Sequence, residues 1–139
     1  SNITFKALCD RLAESFAECL HARVRRDLWG YAQDETLDRD AMIAEKYQGI
    51  RPAPGYPACP DHTVKGTLFA TLNAPEVGIE VTDSFAMIPP SSVSGFYLAH
   101  PESTYYTTGQ IGDDQVIDMA ARRGMDVEEL RHRLAQNLA

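Results

Sequence analysis

The sequence contains little cysteine, no long apolar run and no strongly basic cluster, and each shortage argues against a class of protein. Its cysteines are an odd set of three, Cys9, Cys19 and Cys59, without a paired framework. Because no secretory leader or apolar span is recognisable, we expect a reducing cytoplasm and no contact with a membrane. The formal net charge of −7 at pH 7 argues against nucleic acid or anionic lipid as the main partner.

The familiar motifs of catalysis and cofactor binding are missing as well. There is no G-x-G-x-x-G, no P-loop, no G-x-S-x-G, no H-E-x-x-H and no C-x-x-C. Cys59 and His62 have a spacing that could share a metal ion, but two ligands do not make a site. A Cys59 nucleophile with His62 as base is also disfavoured, because no nearby cation would lower the pKa of the thiol.

The length of 139 residues fits a single domain with a modest core. Ser1-Asn2 resembles a cloning remnant, and a helical pattern starts directly after Ile3. We therefore interpret residues 3–139 as one domain, and expect it to be a fragment of a longer protein.

Apolar residues recur at three- and four-residue steps near both ends of the chain, and this spacing predicts helices. The predicted helices cover residues 4 to about 28 with a stop at Gly30, 38–49 with an Asp38 cap, about 61–73, 113–123, and 126 to about 137 with a capping box of Asp126 and Glu129.

Between these helices the apolar pattern shifts toward alternation, which is typical of strands. Short strands are predicted at residues 79–81 and 84–88, and better ones at residues 93–99 and 105–111, joined as a hairpin. The order of these elements, helices, then strands, then helices, predicts an α+β fold in which helices flank a small twisted antiparallel sheet.

The most unusual stretch is Arg51-Pro52-Ala53-Pro54-Gly55-Tyr56-Pro57-Ala58-Cys59-Pro60, which we call the proline loop. Its prolines remove amide donors and fix φ, so neither a helix nor a strand is expected. Gly55 permits a close approach or a positive φ. The loop suits a small molecule held between main-chain groups, the guanidinium of Arg51 and the ring of Tyr56, although a rigid surface loop is the simpler alternative.

Further candidate ligand contacts are Glu14, Glu45 and the pair Tyr105-Tyr106. Arg51 suits a carboxylate, and tyrosine rings suit a purine or a cation. Glu45 could neutralise Arg51 or attract a cationic group, and strand alternation would place one tyrosine on each face. Such residues are also common on ordinary surfaces. Together they suit a ligand with a carboxylate, a positive centre and an aromatic base.

Several strings resemble the C-terminal activation domain of cobalamin-dependent methionine synthase. The resemblance spans nearly the whole chain in one order, and the proline loop is its most specific part. It rests on Asp10-Arg11-Leu12-Ala13-Glu14, Gly49 to Thr63 around the proline loop, Ser84-Phe85-Ala86-Met87, Ser92-Val93-Ser94-Gly95-Phe96-Tyr97, His100-Pro101-Glu102-Ser103, Tyr105-Tyr106, Asp113-Asp114-Gln115-Val116 and Arg122-Arg123-Gly124-Met125.

The resemblance implies a domain that binds S-adenosylmethionine and positions this methyl donor for reductive remethylation of inactive cob(II)alamin. It implies as partners the cobalamin-binding domain of the same enzyme and a flavodoxin-type reductant. Cobalamin would be bound by another domain, and zinc would belong to the full-length enzyme only. The chain would be a fragment of a methyltransferase, without a catalytic residue of its own and not catalytically competent in isolation.

By resemblance, Arg51 binds the ligand carboxylate, and Ala53, Gly55 and Tyr56 line the ligand. Tyr105 and Tyr106 resemble the paired tyrosines beside it, and Glu14 and Glu45 the acidic residues near it. The resemblance also implies an upstream part with a ligand-binding aspartate before Ile3. Two other hypotheses remain. The chain could be a docking module that binds the cobalamin domain or the reductase through Arg23, Arg25 and Arg26, or it could be a free-standing regulatory domain.

Overall fold

The structure is a computed structural model that describes residues 2–139. Within these residues it contains α1 (Asn2–Arg23), α2 (Arg39–Ile43), α3 (Val64–Leu72), β1 (Glu80–Val81), β2 (Met87–Ile88), α4 (Asp113–Arg123) and α5 (Val127–Arg133). A π-helical turn at Val24–Leu28 extends α1, and short 3₁₀ turns lie at Ala74–Val77 and Ala135–Asn137. None of the described helices is long and apolar enough to cross a bilayer.

The apolar stripe predicted on the first helix is present on α1, but it faces solvent over most of its length. Phe5, Leu12 and Phe16 are 68%, 70% and 66% exposed. Burial begins only near the C-terminal end of α1 and in the π-helical turn, at His21, Ala22, Val24 and Arg25. The helix therefore meets the rest of the chain mainly through its last turns.

The second helix is shorter than predicted. Asp38 caps it as expected, because its Oδ1 accepts a hydrogen bond from the amide of Ala41 at 2.8 Å. However, α2 ends at Ile43 instead of continuing to Gly49. Glu45 has a φ of +56°, a left-handed conformation that an α-helix cannot contain. After this break, Tyr47 is buried beside Arg25 of the π-helical turn.

The sheet is antiparallel, as predicted, and small. Glu80 pairs with Ile88 and Val81 with Met87. The peptide bond that follows, Ile88–Pro89, is cis. The α+β class with helices around a small antiparallel sheet is confirmed.

The hairpin predicted for residues 93–99 and 105–111 is wrong, because neither stretch forms a strand or pairs with the other. Leu98 instead exchanges both backbone hydrogen bonds with Ile50, at 2.9 Å each, and the amide of Phe96 donates to the carbonyl of Pro52 at 3.0 Å. The partner of residues 96–98 is thus the start of the proline loop. Pro52 and Pro54 have no N–H, so a regular ladder cannot extend along it.

The best-packed core lies between α4 and α5. Its buried members are Ile111, Val116, Ala120, Leu130 and Leu134. α4 starts and stops where the sequence predicts, with a left-handed Gly124 after it, and α5 starts where predicted, because Asp126 accepts from the amide of Glu129 at 3.0 Å. The last helix is nevertheless shorter than predicted, because α5 ends at Arg133 and a 3₁₀ turn follows.

Candidate functional site

The proline loop is held in place on several sides by main-chain and side-chain contacts. Ile50 anchors its start to Leu98. At its end, the buried carboxylate of Asp61 accepts from the amide of Thr63 at 2.8 Å and from Arg123 of α4 at 2.5 Å. Although burial alone would raise it, hydrogen bonds from the Thr63 hydroxyl and amide and from Arg123 hold the pKa of Asp61 below its usual value. The loop is therefore pinned to the C-terminal helices by an ionised carboxylate.

Gly55 makes the tight turn within the loop. Its φ is +96°, and its amide donates to the carbonyl of Cys59 at 2.7 Å. A Cβ at this position would lie 2.1 Å from Cε1 of His62. Only glycine meets both the conformational and the steric demand, so the imidazole of His62 is packed directly against the turn.

A cavity of about 550 Å³ opens on one side of the proline loop. Its walls come from α1, from the segment after α2, from the loop itself and from the extended chain after residue 92. Seven of the eight predicted site residues line it, namely Glu14, Glu45, Arg51, Ala53, Tyr56, Tyr105 and Tyr106. Gly55 does not; it lines a second cavity of about 400 Å³ that also touches Tyr56 and Pro57.

Both paired tyrosines line the first cavity, so the expectation of one ring on each face of a strand is wrong. Residues 105 and 106 are not in a strand, and alternation does not apply to them. The Tyr105 hydroxyl accepts from the amide of Arg51 at 3.0 Å. The Tyr106 hydroxyl donates to the carbonyl of Ala58 at 3.3 Å. Each tyrosine thus bridges to the proline loop.

The guanidinium of Arg51 is held by three side chains. Its Nη2 donates to Glu18 Oε2 at 2.5 Å, and its Nη1 lies 3.0 Å from His21 Nδ1 and 3.2 Å from the Tyr47 hydroxyl. The partner that neutralises Arg51 is therefore Glu18, not Glu45. Burial alone would lower the pKa of Arg51, but the hydrogen bond with Glu18 raises it above the ordinary arginine value.

Glu18, His21 and Tyr47 were missed by the sequence reasoning. The sequence predicts that Tyr47 lies inside a helix, which in the structure ends at Ile43, and the residue type of Glu18 does not distinguish it from the solvated face of α1. The three-residue step between Glu18 and His21 places them on one face of α1, and this is the one signal that pairs them. Nothing local to either residue points to Arg51.

Tyr47 lies between two guanidiniums. The Cζ atoms of Arg25 and Arg51 lie 4.4 Å and 5.6 Å from its ring centroid, and its hydroxyl lies 2.9 Å from that of Tyr105. Burial, with the hydrogen bond to Tyr105, raises the pKa of Tyr47. Tyr47 remains a neutral hydroxyl that connects the side chain of Arg51 to Tyr105.

The charged side chains on the cavity wall are two carboxylates, Glu14 and Glu45, and the guanidinium of Arg51. Because Glu18 already neutralises Arg51, the cavity has an excess of negative charge. Its aromatic faces, Tyr56, Tyr105 and Tyr106, are partly exposed. Such a cavity suits a ligand with a positive centre and an aromatic group.

The cysteine and metal alternatives gain no support. Burial, and then the charge of Asp61, raises the pKa of the Cys59 thiol, the opposite of what a nucleophile needs. Within residues 2–139, no group of three or more potential ligands is placed to hold a metal ion.

A family model described as vitamin B12 dependent methionine synthase, activation domain, matches residues 1–124. The chain belongs to this activation-domain family. A crystal structure described as the MetH reactivation domain bound to AdoHcy is 56% identical in sequence, with a TM-score of 0.91. That match covers 96% of this chain and 42% of the other, so the activation-domain chain spans less than half of the solved chain. The resemblance noted from the sequence is confirmed.

Proposed function

We propose that the chain is the C-terminal portion of a methionine synthase activation domain and binds S-adenosylmethionine in the cavity beside the proline loop. There it positions the methyl donor for reductive remethylation of cob(II)alamin held by a neighbouring domain, in the cytoplasm, with electrons from a flavodoxin-type reductant. The observation that carries this proposal is the convergence of seven predicted ligand residues from four separate segments on one cavity. The 56% identical domain described as bound to AdoHcy supports it.

The charge and size of the cavity suit this ligand. A sulfonium is a permanent cation, so Glu14, Glu45 and the tyrosine faces stabilise it without a proton transfer. A volume of about 550 Å³ lies within the usual range for small-molecule sites. The amides of Ala53 and Ala58, both on the cavity wall, form no hydrogen bond within residues 2–139 and are available to the ligand.

The guanidinium of Arg51 retains free N–H groups on one edge, at Nε and Nη2, for the ligand carboxylate. Nη1 directs its hydrogens to His21 and Tyr47, and Nη2 donates one to Glu18. The N–H of Nε and the second N–H of Nη2 have no partner within residues 2–139. Arg25 uses this same pair of atoms to hold Glu35, at 2.7 Å for each contact. A ligand carboxylate on Nε and Nη2 of Arg51 would repeat this geometry.

The chain's contribution to the reaction would be binding and orientation. When bound, cobalamin supplies the electron-transfer and methyl-accepting chemistry, and it belongs to another domain. The residues around the cavity hold a donor in place, and positioning alone is a large part of many rate enhancements. This role requires neither a general base nor a nucleophile.

The docking-module alternative loses part of its basis. It relied on an exposed patch of Arg23, Arg25 and Arg26, but Arg25 is fully buried and paired with Glu35 at 2.7 Å. The remaining two arginines are a weak basis for recruiting an acidic reductant.

Calorimetry with the 139-residue chain tests the proposal. AdoHcy should bind the wild type, and Arg51→Ala should weaken binding by about tenfold or more, because a charge-assisted contact contributes about 1.5–3 kcal/mol. 5′-Methylthioadenosine, which lacks the amino-acid end, should be affected less than about twofold. The proposal fails if millimolar AdoHcy gives neither heat nor NMR shift changes, or if Arg51→Ala leaves AdoHcy affinity unchanged.

A further inference from the structure

His21 is fully buried at the end of α1 although its side chain is ionisable. Its ring stacks on Tyr97, with centroids 5.1 Å apart, and meets the ring of Tyr47 edge-on at 4.8 Å. Its two ring nitrogens contact different partners: Nδ1 lies 3.0 Å from Arg51 Nη1, and Nε2 lies 3.4 Å from the Tyr31 hydroxyl. The ring is therefore fixed in position and orientation by groups from several segments.

The contact with Arg51 determines which nitrogen of His21 carries the proton. A guanidinium has only donors, so Nδ1 must accept and must be unprotonated. The neutral ring then carries its hydrogen on Nε2 and directs it toward the Tyr31 hydroxyl. A protonated ring would place an N–H against the guanidinium and add a second positive charge beside it.

We propose that His21 is a positioning residue for the ligand carboxylate: as a neutral Nε2–H imidazole it fixes Nη1 of Arg51 and thereby aims the Nε and Nη2 edge into the cavity. This inference rests on the proposed function, because it assigns that edge to the carboxylate of the ligand. Tyr47 takes the other Nη1 hydrogen at 3.2 Å, so these two acceptors, together with Glu18 on Nη2, fix the rotation of the guanidinium plane.

The surroundings of His21 keep it neutral. Burial, then the charges of Arg25 and Arg51, lowers its pKa to about 3. The carboxylates nearby are already engaged with guanidiniums, Glu35 with Arg25 and Glu18 with Arg51. The charged and titratable groups around the ring are Glu18 and Arg25 near the end of α1, and Tyr31, Glu35, Tyr47, Arg51 and Tyr97 from the segments packed against it.

Two variants at His21 and one at Tyr31 separate positioning from packing. His21→Phe preserves an aromatic ring between Tyr47 and Tyr97 but removes the acceptor, and should weaken AdoHcy binding by about tenfold. His21→Asn restores an acceptor near the position of Nδ1 and should recover affinity to within about threefold of wild type. Tyr31→Phe, the matched control, removes only the partner of Nε2 and should weaken binding less than His21→Phe does, because the acceptor Nδ1 stays in place.

The ligand series supplies the readout that a packing role would not produce. Binding of 5′-methylthioadenosine, which has no carboxylate, should be unchanged by His21→Phe. Equal weakening of both ligands would mean that His21 only supports the fold, and this would overturn the inference. Unchanged AdoHcy affinity in His21→Phe would also overturn it, while the effect of Arg51→Ala would leave the proposed function standing.

Long-range ¹H–¹⁵N NMR of the imidazole provides an independent test in the wild-type chain. The His21 signals, assigned by their loss in His21→Asn, should show the neutral Nε2–H tautomer and should not titrate between pH 5 and 8. A charged ring in this range, or a proton on Nδ1, would contradict the inference whatever the binding data show.

Discussion

At the scale of single residues, the surroundings of Arg51 depend on a buried charge, the guanidinium of Arg25, which is paired with Glu35. The side chain of Arg25 is fully buried, and its Nε and Nη2 each donate to one carboxylate oxygen of Glu35 at 2.7 Å. Removing one partner of such a pair typically costs about 3–5 kcal/mol, because it leaves an uncompensated charge. The ring of Tyr47, packed against Arg25 at 4.4 Å, therefore rests on a rigid base when it contacts Arg51.

The substitution Gly55→Ala should damage both stability and binding. The new Cβ would lie 2.1 Å from the His62 ring at a φ of +96°, so the loop must either move or remain strained. We expect the free energy of unfolding to fall by about 1–3 kcal/mol and AdoHcy binding to weaken. Urea unfolding and calorimetry measure the two effects.

Gly78→Ala is the matched control for this prediction. Gly78 has a similar positive φ of +75°, but nothing lies within 4 Å of a Cβ added there. It should lose about 1 kcal/mol from backbone strain alone, with AdoHcy affinity unchanged. If the two variants lose the same stability and both bind normally, the contact between Gly55 and His62 has no role in shaping the site.

At the scale of helices, α1 and the pair α4 and α5 use apolar residues differently. Leu12 and Phe16 of α1 are 70% and 66% exposed, whereas Leu130 of α5 is 0% exposed. Helical periodicity is equally visible in both segments. Only packing distinguishes a stripe that stabilises this chain from one that does not, since the free energy comes from surface removed from water.

This difference predicts opposite mutational sensitivity in two similar residues. Leu130→Ala should cost about 2–5 kcal/mol, because it leaves a cavity among Ile111, Val116 and Leu134. Leu12→Ala should change stability by less than about 0.5 kcal/mol, because its side chain is already in water. Chemical denaturation of both variants checks this, and a comparable loss in Leu12→Ala would show that the α1 stripe is buried in solution.

At the scale of the whole molecule, the chain exposes a large surface for its mass. Its accessible surface is 9625 Å², whereas a compact monomer of 15.4 kDa is expected to expose about 7,200 Å². The excess of about a third includes the apolar stripe of α1 and the walls of the open cavity. A chain with so little buried surface depends strongly on any additional contact.

Ligand binding should therefore stabilise the chain measurably. AdoHcy at a hundredfold excess over its Kd should add about 2.7 kcal/mol to the unfolding free energy, because it binds only the folded state. For a chain of this length we expect a rise in Tm of several degrees. Differential scanning calorimetry measures this rise. The same concentration should produce a much smaller rise in Arg51→Ala, and equal rises would place the ligand away from Arg51.

Local signals explain which elements could be predicted. Asp38, Gly124 and Asp126 start or stop helices through contacts with neighbours in sequence, so their roles are readable from the sequence. The apolar residues 93–99 are typical of a strand, but their partner is the proline loop, which cannot continue a ladder. Pairing between distant segments depends on both partners, and this is why the hairpin prediction failed.

The sequence by itself determined the α+β class, the capped starts of α2 and α5, the stop at Gly124, the irregular proline loop and the family. The tertiary structure decided that Tyr105 and Tyr106 both reach the cavity and that Arg51 is held by Glu18, His21 and Tyr47. The physical reason is range: caps, prolines and glycines act on their neighbours along the chain. The orientation of a guanidinium instead depends on acceptors that lie 4, 30 and 33 positions away in sequence.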